Sequence, residues 1–252
     1  MRPWLAVVLG AVMLAGALLA TAPATLVDTR VAALSDGRLR MANASGTIWR
    51  GSGELVVLPT RARQPLHWHL EAWPLLGGEV RATLGSDANA TGATLVYGRD
   101  HFDLRALDVA LPVESIVPLA TSAKIALGGT VSLQVTRLSW QGNAIDGQLT
   151  LQWKDASVPG PGADARIALG DVRIELSGRG AELTGPVRNS GGDVEITGQL
   201  TLSAAGATNL EVALRPRPGD RERAEAVAAA LSTIAAGDGQ GGYRIRWAGA
   251  WR

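Results

Sequence analysis

Apolar and polar residues alternate along most of this chain, and that alternation limits the folds open to it. In DVEITGQLTLS, residues 193–203, Val194, Ile196, Leu200 and Leu202 share one parity while polar residues fill the other. Successive side chains of a strand point to opposite faces of a sheet, so the pattern predicts a strand with one apolar face. Four further segments alternate in the same way: TVSLQV (130–135), AIDGQLTLQW (144–153), NLEVAL (209–214) and YRIRW (243–247). A mainly β fold is expected.

Glycine-rich breaks separate these segments, several of them 8 to 15 residues apart. They are Gly128-Gly129, Gly142-Asn143, Gly178 to Gly180, and Asn189 to Gly192. This spacing favours a long, curved antiparallel meander over strands that alternate with helices. In RIALGDVRIEL the apolar set changes parity at Gly170-Asp171, which indicates a tight turn or a bulge, and a hairpin is the simpler interpretation.

Helix is expected in few places. Asp220 can cap RERAEAVAAALSTIAAG, in which Val227, Leu231 and Ile234 share one face and Gly237 ends the run. Shorter helices are expected near residues 26–34 and 113–120. The fold predicted is therefore a β meander with one or two short helices after the amino-terminal segment.

The amino terminus carries the longest apolar stretch. Residues 4–22, WLAVVLGAVMLAGALLATA, contain no charge and approach the roughly twenty residues that cross a bilayer as a helix. Because Arg2 precedes them, the positive-inside rule leaves residues 1–3 in the cytoplasm and puts the rest in a bacterial periplasm, on a single-pass inner-membrane anchor. The alternative is a cleaved secretory peptide that ends at Ala20-Thr21-Ala22. Residues 23–44 are predicted to be a linker with a short helix, and residues 45–252 a periplasmic β-rich domain.

Composition argues against several classes of partner. The net charge is +1 and only Lys124 and Lys154 are lysines, so no basic stripe for nucleic acid is visible. The chain has no cysteine, which excludes disulfides and thiolate metal sites.

Motifs for catalysis are weak. His67-x-His69 puts two imidazoles on one strand face, but a zinc site needs a third protein ligand. The glycine pattern at 237–242 follows a helix, whereas a dinucleotide-binding loop must open one. Four carboxylates are expected on solvated outer faces of strands: Glu175, Glu182, Glu195 and Glu211. We expect no catalytic residue, cofactor, metal or small-molecule substrate.

Eight tryptophans are the main large side chains, because the chain has one phenylalanine and two tyrosines. In SGTIWRGSG, residues 45–53, Trp49 lies between Gly46 and Gly51, which predicts a strand whose indole packs across the sheet where glycines allow close approach. The expected packing anchors are Trp49, Trp68, Trp140 and Trp153.

An internal repeat is one interpretation of the tryptophan spacing. Trp49-Arg50-Gly51 and Trp140-Gln141-Gly142 are each followed by a strand with a second tryptophan, Trp68 or Trp153. Two related β units, 45–110 and 128–252, would explain the pattern, and so would chance in a chain rich in tryptophan and glycine.

Several segments in order resemble protein N of the bacterial type II secretion system. They are NASGTIWRGSGELVVL, LHWHLEAWPLLGGEVRATL, LGGTVSLQVTRLSWQGNAIDGQLTLQWKDAS, IALGDVRIELSGRGAELTGPVRNSGGDVEITGQLTLS and LSTIAAGDGQGGYRIRWAGAW. The family motif corresponds here to Ser45, Gly46, Thr47, Trp49 and Gly51, and Gly142 belongs to a later tryptophan-glycine pair.

The resemblance implies an inner-membrane anchor, a periplasmic β-rich domain and a non-enzymatic role in moving folded proteins through an outer-membrane secretin. The implied partners are other secretion subunits, namely inner-membrane platform proteins and the secretin. The residues alone also leave a second interpretation open. An anchored antiparallel sheet with one apolar face is typical of periplasmic lipid-carrying grooves as well.

Overall fold

The computed structural model describes residues 20–58, 61–86, 89–115, 127–160, 165–217, 219 and 221–250. Within these ranges no helix combines the length and the apolar character needed to cross a membrane. The anchor predicted over residues 4–22 lies almost wholly outside them, as does the predicted capping residue Asp220.

The described strands form an antiparallel meander. Fourteen strands follow one another in the sheet in chain order, except that the last two exchange places, so β14 pairs with β12 and β13 lies outside β14. The strands are β1 (Leu39–Gly46), β2 (Arg50–Val57), β3 (Ala62–Glu71), β4 (Val80–Ser86), β5 (Asn89–Tyr97), β6 (His101–Pro112), β7 (Gly128–Gln141), β8 (Ala144–Pro159), β9 (Arg166–Gly180), β10 (Glu182–Ser190), β11 (Val194–Ser203), β12 (Ala207–Pro216), β13 (Ala236–Gly237) and β14 (Tyr243–Ala250). The predicted β-rich meander is confirmed.

Three helices lie wholly within the described ranges: α1 (Thr25–Leu34), α2 (Ala72–Leu76) and α3 (Arg221–Ile234). The helices predicted near 26–34 and after Asp220 correspond to α1 and α3. Of the helix predicted over 113–120, residues 113–115 are helical and 116–120 lie outside the described ranges. The α2 turn had no counterpart in the prediction.

The chain divides into two compact units at Gly92 and Ala93. In the first, Trp68, Met41 and Ala24 are buried between the sheet and the segment that leads into α1. Residues 23–44, predicted as a linker, thus contain α1 and β1 and belong to this packed unit. The predicted boundary of two related units, near residues 110–128, stays a prediction.

The core of the second unit lies on one face of β8 to β12, where α3 packs. Val227 and Leu231 of α3 are 1% and 2% exposed and lie against Val212 and Leu214 of β12. The alternation explains this packing, because the apolar parity of each strand faces the helix. The polar parity is solvated: Glu175, Glu182, Glu195 and Glu211 are all exposed, as predicted.

One turn prediction is wrong. A hairpin was the preferred interpretation of Gly170-Asp171, but β9 continues through both residues. The pairing of β8 with β9 shifts register on either side of Ala156, which lies opposite Gly170. Gly170 has φ +72° and Asp155 of β8 has φ +50°. The change of apolar parity therefore comes from a β-bulge, the alternative that the same pattern allowed.

Candidate functional site

The SGTIWRGSG stretch folds as a β-hairpin rather than as a single strand. β1 ends at Gly46, β2 begins at Arg50, and the turn between them holds Trp49. The Thr47 N–H donates to the Arg50 carbonyl at 2.9 Å, and the Arg50 N–H donates back to Thr47 Oγ1 at 3.2 Å. Ser45 and Ser52 face each other across the strands with their hydroxyl oxygens 3.0 Å apart. Trp49 is half-buried and lies in this turn, not on a strand as the sequence suggested.

Gly51 of this hairpin makes room for Trp68. Gly51 lies opposite Trp68 in the pairing of β2 with β3, and a Cβ at Gly51 would overlap the indole ring and lie 2.6 Å from the Ser45 carbonyl. The indole N–H donates to the Thr47 carbonyl at 3.2 Å, and Trp68 is 7% exposed. Gly46, Thr47, Gly51 and Trp68 therefore form one packed cluster.

The outer edge of β1 is covered by the segment that precedes it. The Ala24 N–H donates to the Gly46 carbonyl at 3.1 Å, and the Ile48 N–H donates to the Ala22 carbonyl at 3.0 Å. Farther along the edge, Asp28 Oδ1 accepts the Met41 N–H at 2.7 Å. The Asp28 side chain and the short segment of residues 22–24 thus occupy backbone groups that another strand could otherwise bind.

Asp28 was not identified from the sequence. Besides the Met41 N–H, its carboxylate accepts two bonds from the Arg40 guanidinium, at 3.0 and 2.7 Å. The Arg40 hydrogen bond, helped by the Met41 N–H, lowers the pKa of Asp28 below its ordinary value. Arg40 and Met41 lie 12 and 13 residues from Asp28 along the chain. Neither helix nor strand periodicity relates residues that far apart.

The other two predicted anchors lie on the two strands of one hairpin. Trp140 of β7 donates its indole N–H to the Ala204 carbonyl at 3.2 Å and packs on the cluster of Ile145, Leu183 and Ala204. Trp153 of β8 donates to the Gly128 carbonyl at 2.9 Å. The Gly142-Asn143 turn joins the strands as predicted, with Gly142 at φ +57°. Trp49, by contrast, lies in the turn between β1 and β2, and Trp68 lies on β3. The repeat hypothesis stays a prediction.

The outer edge of β14 contrasts with that of β1. Among the described residues, its sheet partner on that side is β13, which pairs only with Tyr243 and Arg244. The Gly242 carbonyl accepts the Asp238 N–H on that side at 2.9 Å. Backbone groups alternate in direction along a strand, so those of Arg246 and Ala248 also point outward, past the end of β13. Six residues of β14, 245–250, thus extend beyond the residues that β13 covers.

A cleft of about 560 Å³ lies where this edge begins. Its lining residues come from the segment after α3 and from the first half of β14, and they are Ala235, Ala236, Gly237, Asp238, Arg244, Ile245 and Arg246. The hydrogen bonds from the N–H groups of Gln240 and Gly242 lower the pKa of Asp238, with smaller contributions from Arg215 and Arg244. The 237–242 glycine pattern lies between α3 and β14, as predicted, and its first residue, Gly237, is the last residue of β13.

The histidines do not converge on a metal site. His67 and His69 are exposed on the same face of β3, and His69 Nδ1 accepts a hydrogen bond from Arg50 Nε at 3.3 Å. Glu71 lies 3.6 Å from an Arg81 guanidinium nitrogen. In the part of the chain that the structure describes, no three metal-binding side chains lie together.

Comparison with protein families gives a match over most of the chain. The family model described as type II secretion system (T2SS), protein N matches residues 37–246. The chain belongs to the T2SS protein N family. The match includes the hairpin motif, Trp68, Trp140 and Trp153, and it begins after α1. Searches of curated proteins and of solved structures found no match.

Membership of the protein N family makes this chain a component of type II secretion. Asp28 of α1 and the exposed Trp247 of β14 lie outside the matched range, whereas Arg40 and Met41, the partners of Asp28, lie inside it. Sequence reasoning identified the family motif and Trp68 but did not connect Gly51 of the motif with the Trp68 ring.

Proposed function

We propose that this protein is a non-enzymatic, inner-membrane component of the type II secretion system that acts by binding other subunits. The family match over residues 37–246 is the observation that carries the proposal. In this role the protein supports export of folded periplasmic proteins across the outer membrane.

The proposed anchor is residues 4–22, with the β-rich part of the chain in the periplasm. Its support is the uncharged apolar run after Arg2. An anchor holds the folded part near the bilayer and so raises its effective concentration for other anchored subunits without adding contacts.

The proposed contact surface is the outer edge of β14. A strand of a partner subunit can pair with the outward backbone groups of Arg246 and Ala248, as in recognition by β-strand addition. Arg244 and Arg246 lie at this edge, and Arg246 Nε is 3.1 Å from Glu211 on β12. Since Asp28 and residues 22–24 occupy the edge of β1, β14 is the edge better suited to a partner strand.

Affinity purification with an edge variant tests this proposal. The full chain with a carboxy-terminal tag replaces the native copy, and proteins that purify with it from detergent-solubilised membranes are identified by mass spectrometry. We expect type II secretion inner-membrane subunits with the unaltered chain. Ala248→Pro removes one outward N–H without removing a bond to β12, so we expect it to reduce their recovery several-fold.

Ala248→Ser is the matched control, since it keeps the N–H, and its recovery should equal that of the unaltered chain. Equal recovery with Ala248→Pro and with Ala248→Ser would exclude the β14 edge as the contact. Normal secretion by a strain that lacks the protein, together with no secretion subunit in the purified sample, would contradict the proposed function itself.

A further inference from the structure

Three uncharged segments meet at one end of the first unit, the end that carries the turn between β1 and β2. They are residues 20–27 (ATAPATLV), 47–49 (TIW) and 72–78 (AWPLLGG). The Ile48 N–H bonds the Ala22 carbonyl at 3.0 Å, and the Leu70 N–H bonds the Trp49 carbonyl at 2.6 Å just before α2. We call these three segments the turn end.

The turn end exposes large apolar side chains. Trp73 and Leu76 of α2 are 83% and 81% exposed, and Leu26 of α1 is 50% exposed. The α2 turn is nevertheless well formed, because the N–H groups of Gly77 and Glu79 both donate to the Pro74 carbonyl, at 2.9 and 3.0 Å. A formed helical turn that presents a tryptophan and a leucine to solvent is typical of a surface that contacts something apolar.

The charged residues that directly flank the three segments are Asp28, Arg50, Glu71 and Glu79, and each has a polar partner. Arg81 is 2.8 Å from Glu79 and 3.6 Å from Glu71. Arg50 donates to His69 on the neighbouring strand. The three segments of the turn end carry no charge, and the acidic residues that flank them are paired with arginines.

The path of the chain indicates what the turn end contacts. Ala22 is the last residue of the apolar run 4–22, and its carbonyl already accepts a hydrogen bond from Ile48. No free linker therefore separates the end of the run from the folded unit. If the run crosses a bilayer, the turn end must lie at the bilayer surface.

We propose that the turn end docks on the lipid bilayer, with Trp73 and Leu76 in the interfacial layer of the membrane that holds the anchor. This inference rests on the proposed function, in which residues 4–22 span the inner membrane. Tryptophan suits the site because its ring is apolar and its N–H can meet lipid head groups, which is why it is enriched at membrane interfaces. Docking would fix the strands of the first unit pointing away from the membrane.

Site-directed spin labelling tests the proposal on the full chain. The protein has no cysteine, so Leu76→Cys introduces a single labelling site. Leu58→Cys is the matched control, because Leu58 is an exposed leucine (37%) at the opposite end of β2, about 25 Å away for eight residues of strand. Both labelled proteins are reconstituted in vesicles of phosphatidylethanolamine and phosphatidylglycerol.

The readout is the accessibility of each nitroxide to oxygen, which concentrates in lipid, and to a water-soluble nickel chelate. We expect oxygen to dominate at residue 76 and the chelate to dominate at residue 58. The labelled proteins are then transferred from the vesicles into amphipol, which removes the bilayer. The difference in accessibility between residues 76 and 58 should then be lost.

Other results would overturn the inference in distinguishable ways. If the protein is in the vesicles but the chelate dominates at both sites, the turn end does not dock, although the anchor stands. If oxygen dominates at both sites, the unit lies flat on the bilayer and the proposed orientation is wrong. If the full chain does not enter the vesicles at all, the proposed anchor fails and the docking fails with it.

Discussion

At the scale of single residues, the family motif packs against the indole of Trp68, a residue that lies outside the motif. Gly51 brings the β2 backbone against the face of Trp68, and Thr47 supplies the carbonyl that accepts the indole N–H at 3.2 Å. Trp49, the tryptophan inside the motif, contributes its own carbonyl to Leu70 at 2.6 Å. The motif thus joins β1, β2 and β3 through one buried side chain.

Gly51→Ala should destabilise the protein by about 1 to 3 kcal/mol, because the added methyl group overlaps the buried Trp68 ring and a carbonyl. Urea unfolding of the detergent-solubilised chain, followed by tryptophan fluorescence, measures the free energy of unfolding. The control is Gly85→Ala on β4, where the nearest atom to an added Cβ is 3.9 Å away. We expect that control to change stability by less than about 0.5 kcal/mol. Equal effects of the two substitutions would contradict the packing role of Gly51.

At the scale of elements, the outer edges of β1 and β14 are covered to different extents. α1 and the residues before it cover β1, with Asp28 as the main side-chain contact. β14 has only the two-residue β13 beside it in the described chain. Protection of one edge is expected of a sheet that must avoid unspecific pairing, and an edge left available is a site for a specific partner.

Substitutions of Asp28 should separate the contributions of its ion pair with Arg40 and of its hydrogen bond with Met41 to the stability of the protein. Asp28→Ala removes both the ion pair with Arg40 and the acceptor for the Met41 N–H, so we expect a loss of about 1 to 3 kcal/mol in the free energy of unfolding. Asp28→Asn keeps an oxygen for the N–H, and its loss should stay below about 1 kcal/mol. Sedimentation velocity should show more self-association for the alanine variant, whose β1 edge is less protected. If Ala and Asn behave alike, the Met41 hydrogen bond is not what protects the edge.

At the scale of the whole molecule, an aspartate in each of the two units links a helix to the sheet. In the first unit this is Asp28, and in the second it is Asp193, which accepts the Ala168 N–H at 2.8 Å and binds Arg223 of α3 at 2.6 Å. The Arg223 hydrogen bond, more than any other contact, lowers the pKa of Asp193. Both units should therefore lose stability in acid.

The sign of the pH dependence follows from these lowered pKa values. Each carboxylate stabilises the folded state fully above its unfolded pKa of about 3.9, and the contribution disappears as the pH falls through the lower, folded value. We expect the free energy of unfolding to fall below about pH 4 and Asp193→Asn to reduce the steepness of that fall. Urea unfolding between about pH 7 and about pH 3 measures it. An unchanged slope in the variant would show that Asp193 does not contribute to acid sensitivity.

The sequence by itself determined the mainly β meander, α3 and the family, because each depends on local periodicity, turn residues or motif order. The period-two pattern of residues 193–203 and the apolar face of α3 needed no knowledge of their neighbours. Only the tertiary structure decided that Gly170 lies in a bulge, that Gly51 accommodates Trp68, and that Asp28 covers the edge of β1. Each of these depends on contacts between residues 12 or more positions apart, whose register is fixed when strands pair and which no local pattern encodes.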